Sequence, residues 1–346
     1  MTKKIKAAII GASGYSGEEL IRILSNHNEC QIKIITSRQY DGIKIGEVFP
    51  RFAESKLTFS APDVNKIIAE CNVAFLALPH GLASEYAAKL VNGGVTTIDI
   101  SADFRLRSLN KYKEYYNQDH PAPELLKDAV YGLPERYRES IKNAKLIACP
   151  GCYPTSSILP TAPLLEKGLA SKDKIIISSM SGVTGAGRKV ALPFIFPETN
   201  ESLRAYGITG HRHLPEIEQE LAAAFGCDAK EVAINFIPHL VPVNRGINST
   251  IILEPTSLNI TVKEIYKVYQ EYYANEPFVR IKEHGNLADT KNVTLSNMCE
   301  IGFTYDKHTN KIIITSCIDN LTKGASGQAV QCMNIIFGLE ETLGLK

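Results

Sequence analysis

A chain of 346 residues that is 44% hydrophobic is long enough to bury a sizeable core and to divide into two domains. Its formal net charge of +1 removes the electrostatic case for a nucleic-acid or acidic-membrane partner, and no run of about 20 apolar residues marks a membrane span. The apolar run after the lysine-bearing residues 1–6 is too short for a secretory signal, and eight cysteines scattered through a chain of this size exclude a secreted disulfide framework, so a cytoplasmic protein with reduced thiols is expected.

In chain order, residues 5–10 (IKAAII) read as a buried strand, and residues 17–27 place Leu20, Ile21, Ile23 and Leu24 on one helical face. Strands follow at residues 31–37, 72–79, 95–101 and 144–149, with a helix at 82–91. Short β-branched runs alternating with helical patterns predict βαβ units and a parallel sheet, whose strand-end loops are the ligand-binding positions.

After residue 150 the strand patterns lengthen at 174–182, 232–243, 248–255, 298–305 and 311–318. A helical pattern starts at Tyr153, and two helices are predicted at 214–225, with Pro215 in the first turn, and at 262–275. Residues 324–345 read as one long helix packing back on the first domain. The fold class is therefore α/β: a Rossmann-type parallel-sheet nucleotide-binding domain (residues 1–150 with 320–346) plus an α+β substrate and dimerisation domain with a mixed sheet (residues 151–319).

Gly11, Gly14 and Gly17 stand between the first strand and the first helix, where glycines let the backbone turn tightly, approach a pyrophosphate and aim helix amides at it. The spacing is G-x-x-G-x-x-G, with Ser13 near the place of the usual second glycine. Ser13, Tyr15, Ser16 and, at the end of the second strand, Ser37 complete the candidate cradle. The position that normally carries an acid for the ribose hydroxyl carries Arg38 instead, and a guanidinium suits a 2′-phosphate, so NADP(H) is the expected cofactor.

Residues 148–157 (ACPGCYPTSS) place Cys149 and Cys152 three positions apart, readable as a redox pair, half of a metal site, or a corner carrying one reactive thiol. Cys152 lies just past a strand and opens a helical pattern, where amide dipoles favour thiolate. Without a second CxxC, zinc would need His211 and His213, and no metal is expected. A thiolate beside a nicotinamide site suggests acyl transfer with hydride exchange, which needs an acid/base. His211 and His213, two apart in what reads as an extended segment, both qualify.

These phrases, with LPHG (78–81), DISADFRL (99–106), YGLPE (131–135), SGVTGAGR (181–188), GHRHLPEIEQ (210–219), PHLVPVNRGI (238–247) and DNLTKGASGQAVQ (319–331), resemble the N-acetyl-gamma-glutamyl-phosphate reductase family over the whole chain, and more distantly the aspartate-semialdehyde dehydrogenases. The resemblance implies NADPH-dependent reduction of an acyl phosphate in arginine biosynthesis, through a thioester on Cys152. It implies His213 as acid/base, with His211 less favoured, and Arg105, Arg188 and Arg245 as candidates for the substrate's phosphate or carboxylate. It places Asn320 and Gly324 at the nicotinamide end of the cofactor and implies a homodimer or homotetramer. Two departures are Cys149 and Cys332, each where the family commonly has Asn.

Overall fold

The computed structural model describes residues 4–345, so Lys3 of the lysine-rich start lies outside it. The chain divides into two compact units. One runs to Lys113, resumes over Gln118–Pro150 and ends with the segment from Ala325; the other holds Glu114–Asn117 and Gly151–Gly324.

The first unit is built on seven parallel strands in the order β3-β2-β1-β4-β5-β7-β6. They are β1 (Ile5–Ile10), β2 (Cys30–Thr36), β3 (Phe59–Ser60), β4 (Val73–Leu76), β5 (Thr96–Asp99), β6 (Ala129–Tyr131) and β7 (Leu146–Ala148). Helices α1 (Tyr15–Ser25), α2 (Val64–Glu70), α3 (Ala83–Asn92) and α4 (Pro134–Ile141) lie between them. β4 is buried throughout, as expected of a strand covered on both faces. Ala8 and Ile10 of β1 pack with Ala74, Leu76, Ala83, Ala87 and Leu90 in one core. The strand order reverses at β1, which pairs with β2 on one side and β4 on the other, so the turn after Ile10 opens at a topological switch point.

The second unit carries a mixed sheet in the order β12-β13-β14-β11-β8-β10-β9. Its strands are β8 (Ile175–Gly182), β9 (Arg204–Ala205), β10 (Ile234–Val241), β11 (Ile247–Leu253), β12 (Val279–Ile281), β13 (Cys299–Asp306) and β14 (Lys311–Ile318). β8 and β10 run parallel, as do β12 and β13; the other pairs are antiparallel. Helix α5 (Cys152–Glu166) packs against β11, β14 and α6 (Leu214–Phe225). It holds Pro160 and Pro163 in its interior, which ordinarily disrupts a helix. Here Tyr273 donates its hydroxyl to the Leu159 carbonyl that Pro163 leaves without its helical donor, and Tyr269 of α7 (Val262–Tyr272) donates to the Pro160 carbonyl at 2.5 Å. Buried polar backbone is thereby satisfied from outside the helix.

The C-terminal segment corrects one expectation. A π-type turn over Thr322–Ser326 precedes α8, which covers only Gly327–Ile336. Phe337 caps the helix and Gly338 follows at φ +65°, a left-handed position that stops a helix despite the apolar pattern beyond it. Within the first unit, α8 packs against α1 and α4. Among the described residues, no helix is long and apolar enough to cross a membrane.

Candidate active site

In the first unit the glycines divide the work of the β1–α1 turn. Gly11 sits at φ +84°, and a Cβ there would lie 2.4 Å from the Ala77 carbonyl oxygen. A Cβ on Gly17 would lie 2.5 Å from Ala12 Cα, so this glycine lets α1 close onto the turn. At Gly14 the nearest contact is 3.7 Å away, leaving open backbone at the cap of α1. Tight turn, open approach and close packing are the three functions a dinucleotide turn demands of its glycines, so the cradle fits despite its unusual spacing.

Tyr15 and Ser16 form the first turn of α1. Ser13 and Ser37 share a hydroxyl hydrogen bond at 3.0 Å, joining the turn to the end of β2, where Gly11 N–H also meets Thr36 Oγ1. Arg38 is exposed just beyond, its Nη2 donating to the Tyr86 hydroxyl at 3.3 Å. Ser326, which sequence reasoning did not single out, donates its hydroxyl to the Ser16 carbonyl at 2.8 Å and ties α1 to the C-terminal segment.

The DISADFRL phrase folds as a buried polar corner. Asp103 accepts N–H groups from Gly81 and Ser84 at 2.6 and 3.0 Å, binding the LPHG loop and the start of α3. Burial, and then the neighbouring Asp103, pushes Asp99 up to about 7. Arg105 is 7% exposed; its Nε donates to the Cys149 carbonyl at 2.7 Å and its Nη2 to the Ile100 carbonyl at 2.8 Å. The guanidinium anchors the end of β7, so a substrate phosphate would compete with two internal bonds.

In the second unit Cys152 is the first residue of α5, capped by Gly151 at φ −67°, ψ 159°. The Gly151 carbonyl accepts from both Thr155 N–H and Thr155 Oγ1. Pro154 has no N–H, and Gly151 N–H donates to Glu216 Oε1 at 2.9 Å. Cys152 and Tyr153 are therefore the residues whose amides head this helix. Amides at the head of a helix carry partial positive charge, which favours thiolate over thiol.

His211 and His213 are not in an extended segment. Residues 212–213 form a turn into α6; His213 caps that helix with φ −83°, ψ −14°, and its N–H donates to His211 Nδ1 at 3.1 Å. The two rings still come together, with centroids 4.9 Å apart. His211 is surrounded by Tyr153, Tyr206 and Phe236 at centroid distances of 5.4, 5.5 and 5.4 Å. That burial, aided by the adjacent Arg212, holds its imidazole down at about 4. Because Nδ1 accepts a hydrogen bond, the neutral ring carries its proton on Nε2. Tyr206 donates to the Tyr153 hydroxyl at 3.1 Å, and Tyr153 donates to the His239 carbonyl at 3.2 Å. Burial raises the Tyr153 phenol further above its usual range.

His213 lies against the backbone just before Cys152: a Cβ on Gly151 would be 2.5 Å from His213 Nε2. From another direction Gly324 closes on Cys152, since a Cβ there would be 2.7 Å from Cys152 Cβ. Gly324 therefore belongs with the thiol in the second unit. Asn320, expected at the cofactor, is engaged at both ends of its amide, donating to Thr184 Oγ1 at 2.9 Å and accepting from Gly246 N–H at 2.8 Å.

Arg245 forms a two-pronged ion pair with the fully buried Asp319 at 2.8 and 2.9 Å and also donates to Thr322 Oγ1. Asp319 in addition accepts N–H groups from Leu295, Leu321 and Thr322. This hub shapes the turn that carries Gly324. Arg188 is exposed in the loop after Gly187. All eight cysteines are free thiols; Cys149 is fully buried while Cys152 is partly exposed. Among the described residues no group of three His, Cys, Asp or Glu is arranged to hold a metal ion.

Comparison with known proteins shows the family and the fold. Residues 6–144 match the family model "Semialdehyde dehydrogenase, NAD binding domain", and residues 152–320 match "Semialdehyde dehydrogenase, dimerisation domain". An N-acetyl-gamma-glutamyl-phosphate reductase of Akkermansia muciniphila is 50% identical, over 99% of each chain. The chain belongs to the N-acetyl-gamma-glutamyl-phosphate reductase family. Reductases of Saccharophagus degradans and Heliobacterium modesticaldum are each 46% identical, over 99% of this chain and 98% of theirs. The reductase fold extends to aspartate semialdehyde dehydrogenase II of Vibrio cholerae, with a TM-score of 0.73 at 16% identity, covering 97% of this chain and 99% of that one. An aspartate semialdehyde dehydrogenase of Candida albicans, solved with NADP, gives a TM-score of 0.71 at 17% identity, covering 96% and 98%.

Proposed function

We propose that this chain reduces N-acetyl-L-glutamyl 5-phosphate to N-acetyl-L-glutamate 5-semialdehyde and phosphate with NADPH, a step of arginine biosynthesis. Family membership supports the substrate. The observation that carries the mechanism is the placement of Cys152 at the head of α5 with His213 Nε2 against the Gly151 α-carbon.

Cys152 Sγ attacks the γ-carbonyl as thiolate, and the amides at the head of α5 stabilise the oxyanion. The C–O bond to phosphate breaks, leaving an acyl thioester on Cys152. Gly11, Ser13, Gly14, Tyr15, Ser16, Gly17, Ser37 and Arg38 would hold NADPH, which would supply the hydride for reduction of this acyl group. His213 gives a proton to the oxygen of the reduced carbon and takes it back as the C–S bond breaks, so aldehyde leaves and thiolate is restored. His211, held neutral among aromatic rings, serves the His213 backbone and not the proton transfer. Arg188, exposed on its loop, is the arginine we assign to a substrate anion; Arg105 is engaged with the Cys149 and Ile100 carbonyls and Arg245 with Asp319. The reading predicts NADPH oxidation matched by phosphate release, abolished in Cys152→Ser and largely kept in Cys149→Ala. The reverse pattern would overturn the nucleophile assignment.

We also infer a homodimer formed through the second unit. β8, β10 and β11 alternate between buried residues and a less covered face bearing Ile176, Met180 (42% exposed), Ile237 and Ile252, and this region matches a dimerisation-domain family model. Met180→Glu should shift the mass measured by light scattering toward a monomer; an unchanged mass would place the interface elsewhere.

A further inference from the structure

The contact between Glu216 and Gly151 reaches beyond the residues assigned above, and its meaning rests on the reductase reading. An acidic residue in the first turn of a helix is ordinarily explained by the helix dipole and remains solvated. Glu216 occupies that place in α6 but is 1% exposed. Burying a carboxylate is unfavourable unless hydrogen bonds compensate. Its Oε1 accepts the N–H of Gly151, 65 residues away, at 2.9 Å. Gly151 is the cap of α5 and immediately precedes Cys152, and its α-carbon faces the Nε2 edge of His213, the cap of α6. The start of α6 thus grips the nucleophile's peptide twice, through a hydrogen bond from residue 216 and a van der Waals contact from residue 213.

We propose that Glu216 is a positioning residue for acyl transfer: by accepting Gly151 N–H it locks the head of α5 to the head of α6 and sets the reach between Cys152 Sγ and His213 Nε2. The same bond withholds Gly151 N–H from the substrate, which leaves oxyanion stabilisation to the amides of Cys152 and Tyr153. In this scheme Glu216 acts through other residues. Its effect passes through the geometry of the other two side chains.

The test compares Glu216→Ala, which deletes the acceptor, with Glu216→Gln, whose amide oxygen still accepts the N–H. Each is assayed as the full chain with NADPH and N-acetyl-glutamyl phosphate. A misplacement of about 1 Å is worth up to about 100-fold in rate. Glu216→Ala should therefore lower kcat roughly 10- to 100-fold with KM changed less than about threefold, while Glu216→Gln stays within about threefold of wild type. In parallel, the pH dependence of Cys152 alkylation by iodoacetamide should move its inflection upward by about one unit in the Ala variant, because imidazole support for thiolate weakens, and stay in place in the Gln variant. Wild-type behaviour in Glu216→Ala overturns the proposal. So do equal losses in both variants accompanied by a lower thermal midpoint and weaker NADPH binding, which would make Glu216 a general stabiliser. If the wild-type chain oxidised no NADPH with this substrate, the reductase reading would fail, and the alkylation profiles would still decide the clamp.

Discussion

Gly151→Ala isolates the position of His213 from every other feature of the site. The substitution keeps the backbone N–H that Glu216 holds, and φ −67° with ψ 159° is accessible to alanine. The new Cβ would stand 2.5 Å from His213 Nε2 and 2.8 Å from both Cδ2 and Cε1. Optimal non-bonded separation is about 3.5 Å, so the imidazole must retreat by about 1 Å. A ring yields more cheaply than backbone, and the fold should tolerate the change. Alanine at a helix cap in place of glycine costs about 0.5–1 kcal/mol, offset by a similar gain from a less flexible unfolded chain. The catalytic cost is larger: a 1 Å displacement of an acid/base approaches 100-fold, or about 2.7 kcal/mol of barrier. Steady-state NADPH oxidation should therefore show kcat down by one to two orders of magnitude, with a thermal midpoint near that of wild type and Cys152 still open to alkylation. A folded Gly151→Ala enzyme with wild-type kcat would refute the placement of His213 as the proton carrier.

Arg38→Ala should weaken NADPH binding by about 2 kcal/mol, roughly 30-fold, through loss of charge-assisted bonds to the 2′-phosphate. Titration with NADH should change little, and equal losses for both cofactors would count against that contact. Arg245→Met leaves Asp319 buried without its cation, which costs about 3–5 kcal/mol; a fall in denaturation midpoint is expected, whereas a raised KM at unchanged stability would return Arg245 to the substrate. His211 titrates at about 4 in the folded chain against about 6.5 unfolded, so the unfolded state takes up the proton first. Its contribution is full above about pH 6.5 and is lost as pH falls toward 4, by up to about 3 kcal/mol. His211→Gln should lose less stability than wild type between pH 7 and 4.5 in urea titrations, and parallel losses would contradict the aromatic burial of this ring.

What the sequence disclosed depended on how local its cause was. Residues Leu214–Phe225 form the expected helix because an N-terminal proline, an apolar face and a closing glycine all lie within the segment. The long strands of the second unit likewise announce themselves by alternation. β3, β6, β9 and β12 do not, being two or three residues long and formed only because a neighbouring strand offers a ladder. Apolar spacing that continues through Leu343 and Leu345 predicts a longer last helix, whereas the helix ends at Ile336 and Gly338 follows at φ +65°. At the site, Cys152 and the glycine triplet were visible from the strand–glycine–helix order alone. Glu216 resembles an ordinary dipole-facing acid in sequence, and Gly324 an ordinary turn glycine. Their contacts with Gly151 and Cys152 arise only when segments far apart in the chain meet.

The central claim is that Cys152 carries the acyl group between phosphate departure and reduction. Intact-protein and peptide mass spectrometry of the enzyme mixed with N-acetyl-glutamyl phosphate, without NADPH, tests it directly. The account predicts an N-acetylglutamyl adduct on the peptide containing Cys152, formed with release of phosphate and discharged as aldehyde when NADPH is added. An enzyme that releases phosphate and oxidises NADPH while Cys152 is never acylated, or that does so equally well as Cys152→Ser, would contradict it.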